Sequence, residues 1–370
     1  MQIPFVDLKK QYFSIKSEID SAIKRVINDT AFVKGKYVKS FEREYSDLYG
    51  VKHCVSCGNG TDAIYISLKA LGIGDGDEVI TTSLSWISTS ETISQAGAKV
   101  VFVDIDPDYY TIDTSKIEEK INYRTKAIIP VHIYGQPSNM TEVMRIAKKY
   151  DLKVIEDCAQ AHFAQWKGQN VGTFGDMATF SFFPGKNLGA YGDAGCIITD
   201  NDELAEKANR FSKHGALGKH DHKIEGINSR LDGLQAAILS VKLKYINDWT
   251  NTRIQIAKNY NNLLKDEKNI ITPLINNKAK HVYHLYVIRS DQRDYLIDKL
   301  TQEQISTGIH YPKALPYLEA YNYLKHLPKH FPIAHKYQSK ILSLPIYPEL
   351  TYKKQLFVIE QIKSKQNNNE

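Results

Sequence analysis

Val154-Ile155-Glu156-Asp157-Cys158-Ala159-Gln160 and Thr179-Phe180-Ser181-Phe182-Phe183-Pro184-Gly185-Lys186-Asn187-Leu188-Gly189 are the stretches that decide the fold. The first is an apolar strand closing on an acid. The second is an aromatic strand that breaks at Pro184-Gly185 and delivers a lysine among loop glycines. Toward the amino terminus, strands are expected at His53–Ser56, Glu78–Thr81, Val100–Asp104, Ala127–His132 and Lys153–Glu156. Helices are expected at Ser14–Asn28, Val38–Leu48, Ser88–Ala96 and Met140–Lys149, and after Gly60, where Ile64, Leu68 and Leu71 share one face. This alternation is the rhythm of parallel crossovers in an α/β fold.

Beyond Asp157 the pattern changes. Met177–Phe182 and Gly195–Thr199 read as strands flanking the glycine-rich Gly185–Gly195 loop, and Ser229–Tyr245 reads as a helix with Leu234, Ile238, Val241 and Tyr245 on one face. A division near Trp249 gives a large domain, residues 1–249, and a smaller α+β domain, residues 250–370. The smaller one is expected to hold strands His284–Arg289 and Thr307–His310 and helices Asp291–Glu303 and Phe331–Ile341. The polar tail Lys363–Glu370 reads as frayed.

Composition narrows the function classes. The 370 residues are 42% hydrophobic and 24% charged, ordinary for a folded soluble chain, and too many for one small core. No apolar run reaches the ~20 residues that span a bilayer. Met1-Gln2-Ile3-Pro4-Phe5-Val6-Asp7 lacks the pattern of a secretory signal, so a cytoplasmic protein is expected. Cys54-Val55-Ser56-Cys57, with His53 adjoining, has metal-ligand spacing. There is no second ligand pair, and the stretch is an apolar strand, so buried thiols and no metal are expected. The net charge of +6 is spread over short clusters such as Lys9-Lys10, Lys148-Lys149 and Lys353-Lys354, which read as solvated helix faces rather than a nucleic-acid surface. A modest positive field suits a phosphorylated or nucleotide-linked substrate.

Lysine, acid and serine together are the least that holds pyridoxal phosphate. The amine forms the Schiff base, and the carboxylate keeps the pyridine nitrogen protonated so that the ring withdraws electrons. Lys186, Asp157 and Ser181 are the candidates. Asp157 alternatively caps the next segment, and Ser181 alternatively bonds its strand neighbours. Gly60-Thr61, between a strand and a helix start, either presents donors to a phosphate or leaves Thr61 or Asp62 to cap the helix. Gln160 either donates to a ring oxygen or caps locally, and Trp86 either stacks on a ring or lies in the core.

In combination these motifs resemble the sugar aminotransferase family of fold-type I vitamin B6 enzymes. The resemblance runs from Phe5-Val6-Asp7-Leu8 to Ser343-Leu344-Pro345-Ile346-Tyr347-Pro348. It is carried by Gly58-Asn59-Gly60-Thr61-Asp62-Ala63, Val103-Asp104-Ile105-Asp106, Tyr134-Gly135-Gln136, Ile155 to Gln160, Ser181 to Lys186, Asn228-Ser229-Arg230-Leu231 and His310-Tyr311-Pro312. The family implies a mostly parallel seven-stranded sheet flanked by helices, with a smaller carboxyl-terminal domain. It implies Lys186 as the imine-forming and proton-carrying residue, Asp157 at the pyridine nitrogen, Gln160 at the ring oxygen and Trp86 on the ring face. Gly60, Thr61 and Ser181 would hold the phosphate, joined by the partner subunit's Asn228 in a homodimer. Arg230, His310 and Tyr311 would touch substrate.

The implied reaction moves the amino group of L-glutamate to a keto-sugar nucleotide. His132-Ile133-Tyr134-Gly135-Gln136-Pro137 resembles members acting on dTDP-linked 6-deoxy-3-ketohexoses. Members that aminate UDP-linked 3-keto uronic acids share Asn228 to Leu231 and Gln235-Ala236-Ala237-Ile238, and 4-keto acceptors are a third option. A minority branch dehydrates sugars with histidine in place of the lysine; Lys186 argues for transamination. A non-catalytic regulatory protein on the same fold is the rival of another class, and the intact set of Lys186, Asp157, Gln160 and Ser181 argues against it.

Overall fold

Strands β1 (His53–Cys57), β2 (Glu78–Thr82), β3 (Lys99–Val103), β4 (Thr125–Ile129), β5 (Lys153–Asp157), β6 (Met177–Ser181) and β7 (Gly195–Thr199) build the central sheet. The computed structural model describes residues 1–364. The sheet order is β1-β7-β6-β5-β4-β2-β3. Only β7 runs against its neighbours, antiparallel to both β1 and β6. The remaining pairs are parallel, as the α/β rhythm predicts.

Alternation along β6 and β7 sends side chains into two layers. Ala178, Phe180, Cys196 and Ile198 meet Phe41, Tyr45 and Tyr49 of helix α3 (Lys36–Tyr49). Met177 and Ile197 meet Ala63, Ile66 and Ala70 of α4 (Gly60–Ala70), with Leu204 and Ala208 beside them. The i, i+4 spacing of Phe41, Tyr45 and Tyr49 makes one aromatic stripe. Tyr49 stacks on Phe163 with ring centroids 4.4 Å apart. β1 is an edge strand, and two backbone N–H groups at its margin are engaged by acids. Glu42 of α3 accepts both the N–H (3.0 Å) and the hydroxyl (2.6 Å) of Ser56, and Asp200 accepts the N–H of Lys52 (2.8 Å). All four cysteines are free; Cys57 is buried as expected, whereas Cys54 is only half-buried.

Several expected boundaries move. The helix expected over Ser14–Asn28 covers Lys16–Asn28 (α2), and an unexpected helix α1 (Leu8–Ser14) precedes it, started by Asp7, which accepts the Lys10 N–H (2.9 Å). The chain bends at Ile15, which joins Ile19, Ala22 and Val26 in a cluster with Ala237, Ile238 and Val241 of α8 (Gly233–Leu243). That helix is shorter than Ser229–Tyr245, since Asp232 bridges Val33 and the Gly233 N–H bonds Phe32 O (2.7 Å).

In the last third, β8 (Tyr286–Arg289) pairs antiparallel with β9 (Ile341–Leu344), not with the expected strand Thr307–His310. Gly308 makes only a single bridge, to Ser343. The helix expected over Phe331–Ile341 covers Pro332–Tyr337, and Ile341 belongs to β9. A short apolar run such as Ile341-Leu342-Ser343-Leu344 does not declare its period. Trp249 lies inside a continuous helix, α9 (Ile246–Leu264). Lys363 closes a final helix, Tyr352–Lys363; residues 365–370 of the expected frayed tail lie outside the described residues. No helix among the described residues is long and apolar enough to cross a membrane.

Candidate active site

The carboxyl ends of β5 and β6 carry the acid and the lysine. The backbone of Asp157 is pinned against the extension of β4: its N–H bonds Pro130 O (2.9 Å), and its C=O accepts the His132 N–H (3.0 Å). The Asp157 carboxylate accepts the hydroxyl of Thr89 (2.8 Å) and the N–H of Ala159 (3.1 Å). Glu156, one residue earlier, points to the other face. It accepts the N–H groups of Gly172 (2.8 Å), Phe174 (2.8 Å) and Gly175 (2.9 Å) and lies 3.1 Å from His132 Nε2. The Ser138 N–H donates to His132 Nδ1 (3.0 Å), so Nε2 carries the proton and donates to Glu156. His132, Glu156 and Cys158 have ligand atoms within 4.8 Å of one another, but these hydrogen bonds already engage both imidazole nitrogens and the carboxylate. The cluster is a structural anchor for β5.

Lys186 sits on a tight loop closing β6 onto β7. Phe182 N–H bonds Ala194 O (2.8 Å), Ala190 N–H bonds Phe182 O (2.7 Å), and Lys186 N–H bonds Phe183 O (2.8 Å). A Cβ on Gly189 would lie 2.3 Å from Pro184 O, so the loop needs glycine there. Burial pushes the Lys186 amine down from 10.5 to about 8, opposed by the negative charge of Asp157. Asp157 acts through its field and not through a hydrogen bond.

Facing them lies the start of α4. Asn59 caps this helix, its Oδ1 accepting the Asp62 N–H (2.8 Å). Neither Thr61 nor Asp62 is the cap: Asp62 accepts the Ser229 hydroxyl (2.6 Å), and Thr61 Oγ1 lies 2.7 Å from Ser88 Oγ. The first-turn N–H groups of Gly60 and Thr61 have no acceptor within the helix. A Cβ on Gly60 would come 2.7 Å from Ser181 Cβ, and one on Gly195 would come 2.4 Å from the Asn59 carbonyl. Glycine at both positions lets the loop lie directly on β6 and β7. Gly60, Thr61 and Ser181 are thereby assembled with Ser88 into a set of donors at a helix N-terminus, the chemistry a phosphate requires.

Gln160 Oε1 accepts the Tyr134 N–H (2.6 Å) and its Nε2 donates to Tyr311 Oη (2.9 Å), so the structure joins Gln160 to Tyr311. Trp86 is 57% exposed and tilts against Tyr311 with centroids 5.7 Å apart; it is not a core residue. His310 pairs through Nδ1 with Ser343 Oγ (2.8 Å) and stacks on Phe5, and burial pushes its imidazole down to about 4. Asn228 and Arg230 flank Ser229, whose hydroxyl meets Asp62 (2.6 Å) and the Gly58 N–H (2.8 Å) at the start of α4. Asn228 is exposed and bridges Lys213, while Arg230 lines a separate cavity of about 460 Å³ beside β1 with Lys34, Lys39, Glu42 and Lys213.

Three residues escaped the sequence reading. Ser88 and Thr89 belong to a run of hydroxyls, Ser83 to Thr92, and that run was the available signal. His162 bridges Tyr45 Oη (2.9 Å) and Ser181 O (2.9 Å), and burial pushes it down to about 3. Nothing in the sequence marked it.

The residues present fit pyridoxal phosphate. A depressed amine suits imine formation, a carboxylate at a strand end suits a cationic ring nitrogen, and the Gly60 cradle with its donors suits a phosphate. The model of the DegT/DnrJ/EryC1/StrS aminotransferase family matches residues 13–363. The dTDP-3-amino-3,6-dideoxy-alpha-D-galactopyranose transaminase of Aneurinibacillus thermoaerophilus is 43% identical, over 97% of this chain and 98% of its own. The UDP-2-acetamido-2-deoxy-3-oxo-D-glucuronate aminotransferase of Pseudomonas aeruginosa is 41% identical, over 94% and 96%. The crystal structure of S. venezuelae DesV in complex with a ketimine intermediate superposes with a TM-score of 0.96 at 36% identity, covering 98% of this chain and 97% of that one. The lysine loop, the strand-end acid and the glycine cradle thus stand in a chain that belongs to the DegT/DnrJ/EryC1/StrS family of pyridoxal-phosphate-dependent sugar aminotransferases.

Proposed function

We propose that this chain moves the amino group of L-glutamate to the 3-keto carbon of a dTDP-linked 6-deoxyhexose. The observation that carries the chemistry is the meeting of Lys186, Asp157 and the Gly60 cradle at one end of the sheet. The sugar is supported by the Aneurinibacillus relative, whose name specifies that class of product. When bound, pyridoxal phosphate supplies an electron sink that loosens the substrate's α-hydrogen.

The chain's own residues supply the rest. Lys186 Nζ takes a proton as the free amine and returns it as the ammonium, and a value near 8 lets both forms coexist in mildly alkaline solution. Both halves of the reaction need that one transfer, so one lysine serves both. The Asp157 charge holds the proton on the ring nitrogen, and Thr89 and the Ala159 N–H fix that carboxylate. With the Tyr134 N–H on its Oε1 and one amide N–H on Tyr311 Oη, Gln160 would keep its second amide N–H for the ring oxygen. Gly60, Thr61 and Ser181, with Ser88, hold the phosphate, and Trp86 covers the ring. Residues 1–249 hold the cofactor, and residues 250–370 contribute His310 and Tyr311 toward the substrate.

Asn228 is exposed on its own chain, and a homodimer in which each subunit lends Asn228 and Arg230 to the other is part of this reading. Asn228→Ala is expected to cost about tenfold in cofactor retention, the worth of one hydrogen bond to a charged group. Dialysis against buffer measures the loss, and an active monomer in sedimentation would rule out the shared site.

The test of function is the visible spectrum. L-Glutamate should bleach the yellow holoprotein, and the dTDP-linked 3-keto-6-deoxyhexose should restore it. Restoration instead by a UDP-linked 3-keto uronic acid or a 4-keto sugar would reassign the acceptor. A protein that takes up no pyridoxal phosphate would overturn the reading.

A further inference from the structure

The loop that carries Lys186 closes on itself. A Cβ on Gly189 would lie 2.3 Å from Pro184 O and 2.9 Å from Phe183 O, so the residue that ends the loop rests on the two that begin it. Lys186 stands between these two ends, and where the base of the loop sits decides where the lysine sits. Among the described residues, two side-chain hydrogen bonds fix the stretch between Lys186 and Ala190. Asn187 Nδ2 donates to Val282 O (3.0 Å), and Lys242 Nζ donates to Gly189 O (2.7 Å).

Lys242 is an unusual donor. It stands on α8 among buried Ala236, Ile238, Leu239, Val241 and Leu243, and it is itself fully buried. A buried charge is costly unless something receives it, and burial pushes this amine down to about 8. What receives it is the lysine loop: Gly189 O on one side, and the ring of Tyr191, with its centroid 4.3 Å from Nζ, on another. Gln235, two helical turns earlier on the same face of α8, accepts the Tyr191 N–H (2.8 Å). The helix thus grips the segment from Gly189 to Tyr191 at two heights. Its Ala237, Ile238 and Val241 pack against Ile15, Ile19, Ala22 and Val26, so the grip has a fixed support.

We propose that Lys242 is a positioning residue for Lys186, its bond to Gly189 O and its seat on Tyr191 holding the base of the lysine loop against α8. An apolar side chain of the same length would fill the space and leave Gly189 O without its donor, and the loop would shift to recover one. A fixed base lets the Lys186 amine meet the reacting carbon in one geometry on every turnover. The inference rests on the reading of Lys186 as the amine that engages the cofactor.

The test titrates Lys186 in cofactor-free protein, by labelling with acetic anhydride across pH and quantifying the Lys186 peptide by mass spectrometry. The wild-type midpoint is expected at about 8, held there by burial. In Lys242→Met the loosened loop should let Lys186 reach solvent, and its midpoint should rise by about one pH unit toward 10.5. Lys242→Arg keeps a donor and a cation and should keep the wild-type midpoint. Ile19→Ala, which weakens the packing of α2 on α8 without touching the loop, should lower the melting temperature and leave the midpoint alone. In the holoenzyme, single-turnover amine transfer from glutamate, counted per borohydride-fixed cofactor, should slow about tenfold in Lys242→Met with glutamate affinity unchanged. It should recover in Lys242→Arg and stay at the wild-type rate in Ile19→Ala. A wild-type midpoint in Lys242→Met, or the same rise in Ile19→Ala, would overturn the proposal. If the methionine variant does not fold, Lys242→Gln, whose amide is too short to reach Gly189 O, decides by the same readings. The labelling needs no cofactor, so a failure of the transaminase reading would show separately, as absent uptake of pyridoxal phosphate.

Discussion

Lys186→Ala protein is expected to fold, to bind pyridoxal phosphate without a bond that borohydride can fix, and to transfer amine 10²–10⁴-fold more slowly, roughly the worth of a positioned acid–base group. The fold should survive because the loop is held by backbone hydrogen bonds of Phe182, Ala190 and Lys186, and none of these uses the lysine side chain. The phosphate donors stand on α4 and β6, so noncovalent binding should persist. Borohydride treatment followed by mass analysis of the Lys186 peptide reads the missing bond, and thermal melting reads the intact fold. A variant that still carries reductively fixed cofactor would show that another lysine does the work. Buried Lys242 is the comparison to watch: its amine is also pushed down to about 8, yet it donates to Gly189 O (2.7 Å) and is thereby committed to holding the loop.

Asp157→Asn is the second large effect, and its sign can be worked out at two places. The carboxylate raises the Lys186 value against the lowering by burial, so removing its charge should move the lysine midpoint below about 8. The same substitution removes the negative partner of the ring nitrogen, and amine transfer should fall by ~10²–10³-fold, the range for loss of one preorganised electrostatic contact. An asparagine oxygen can still accept from Thr89, so the loss should appear in turnover and not in melting temperature. An unchanged lysine midpoint, or a rate within a factor of a few of wild type, would place the acid outside the reacting centre.

The lysine and the acid stood out because each ends or follows an apolar strand, and the family resemblance gave them their roles. The seven strands were legible from their apolar runs, down to a residue or two at most ends, and their union in one sheet came from the family resemblance. What was hidden depended on partners distant in sequence. His162 matters through Ser181, 19 residues away, and Tyr45, 117 away, and no local pattern encodes such a bridge. Thr89 looks like any residue in the first turn of a helix until the Asp157 carboxylate is set beside it. At Gly60-Thr61 the sequence left a phosphate cradle against a cap by Thr61 or Asp62, and it passed over Asn59, which is an equally good cap. Packing decided the cap in favour of Asn59. β9 was misread because Ile341-Leu342-Ser343-Leu344 fits a helix end as well as a strand until Tyr286–Arg289 supplies the ladder.

The contact between Glu42 and Ser56 also bears on how copies of this chain can meet. A sheet margin with unclaimed N–H groups invites a foreign strand, the route to runaway polymerisation. Here the acid has already claimed one such group on β1, and Asp200 claims the group just before the strand. A strand pairing at Ser56 would have to displace that charge-assisted bond before gaining a ladder rung there.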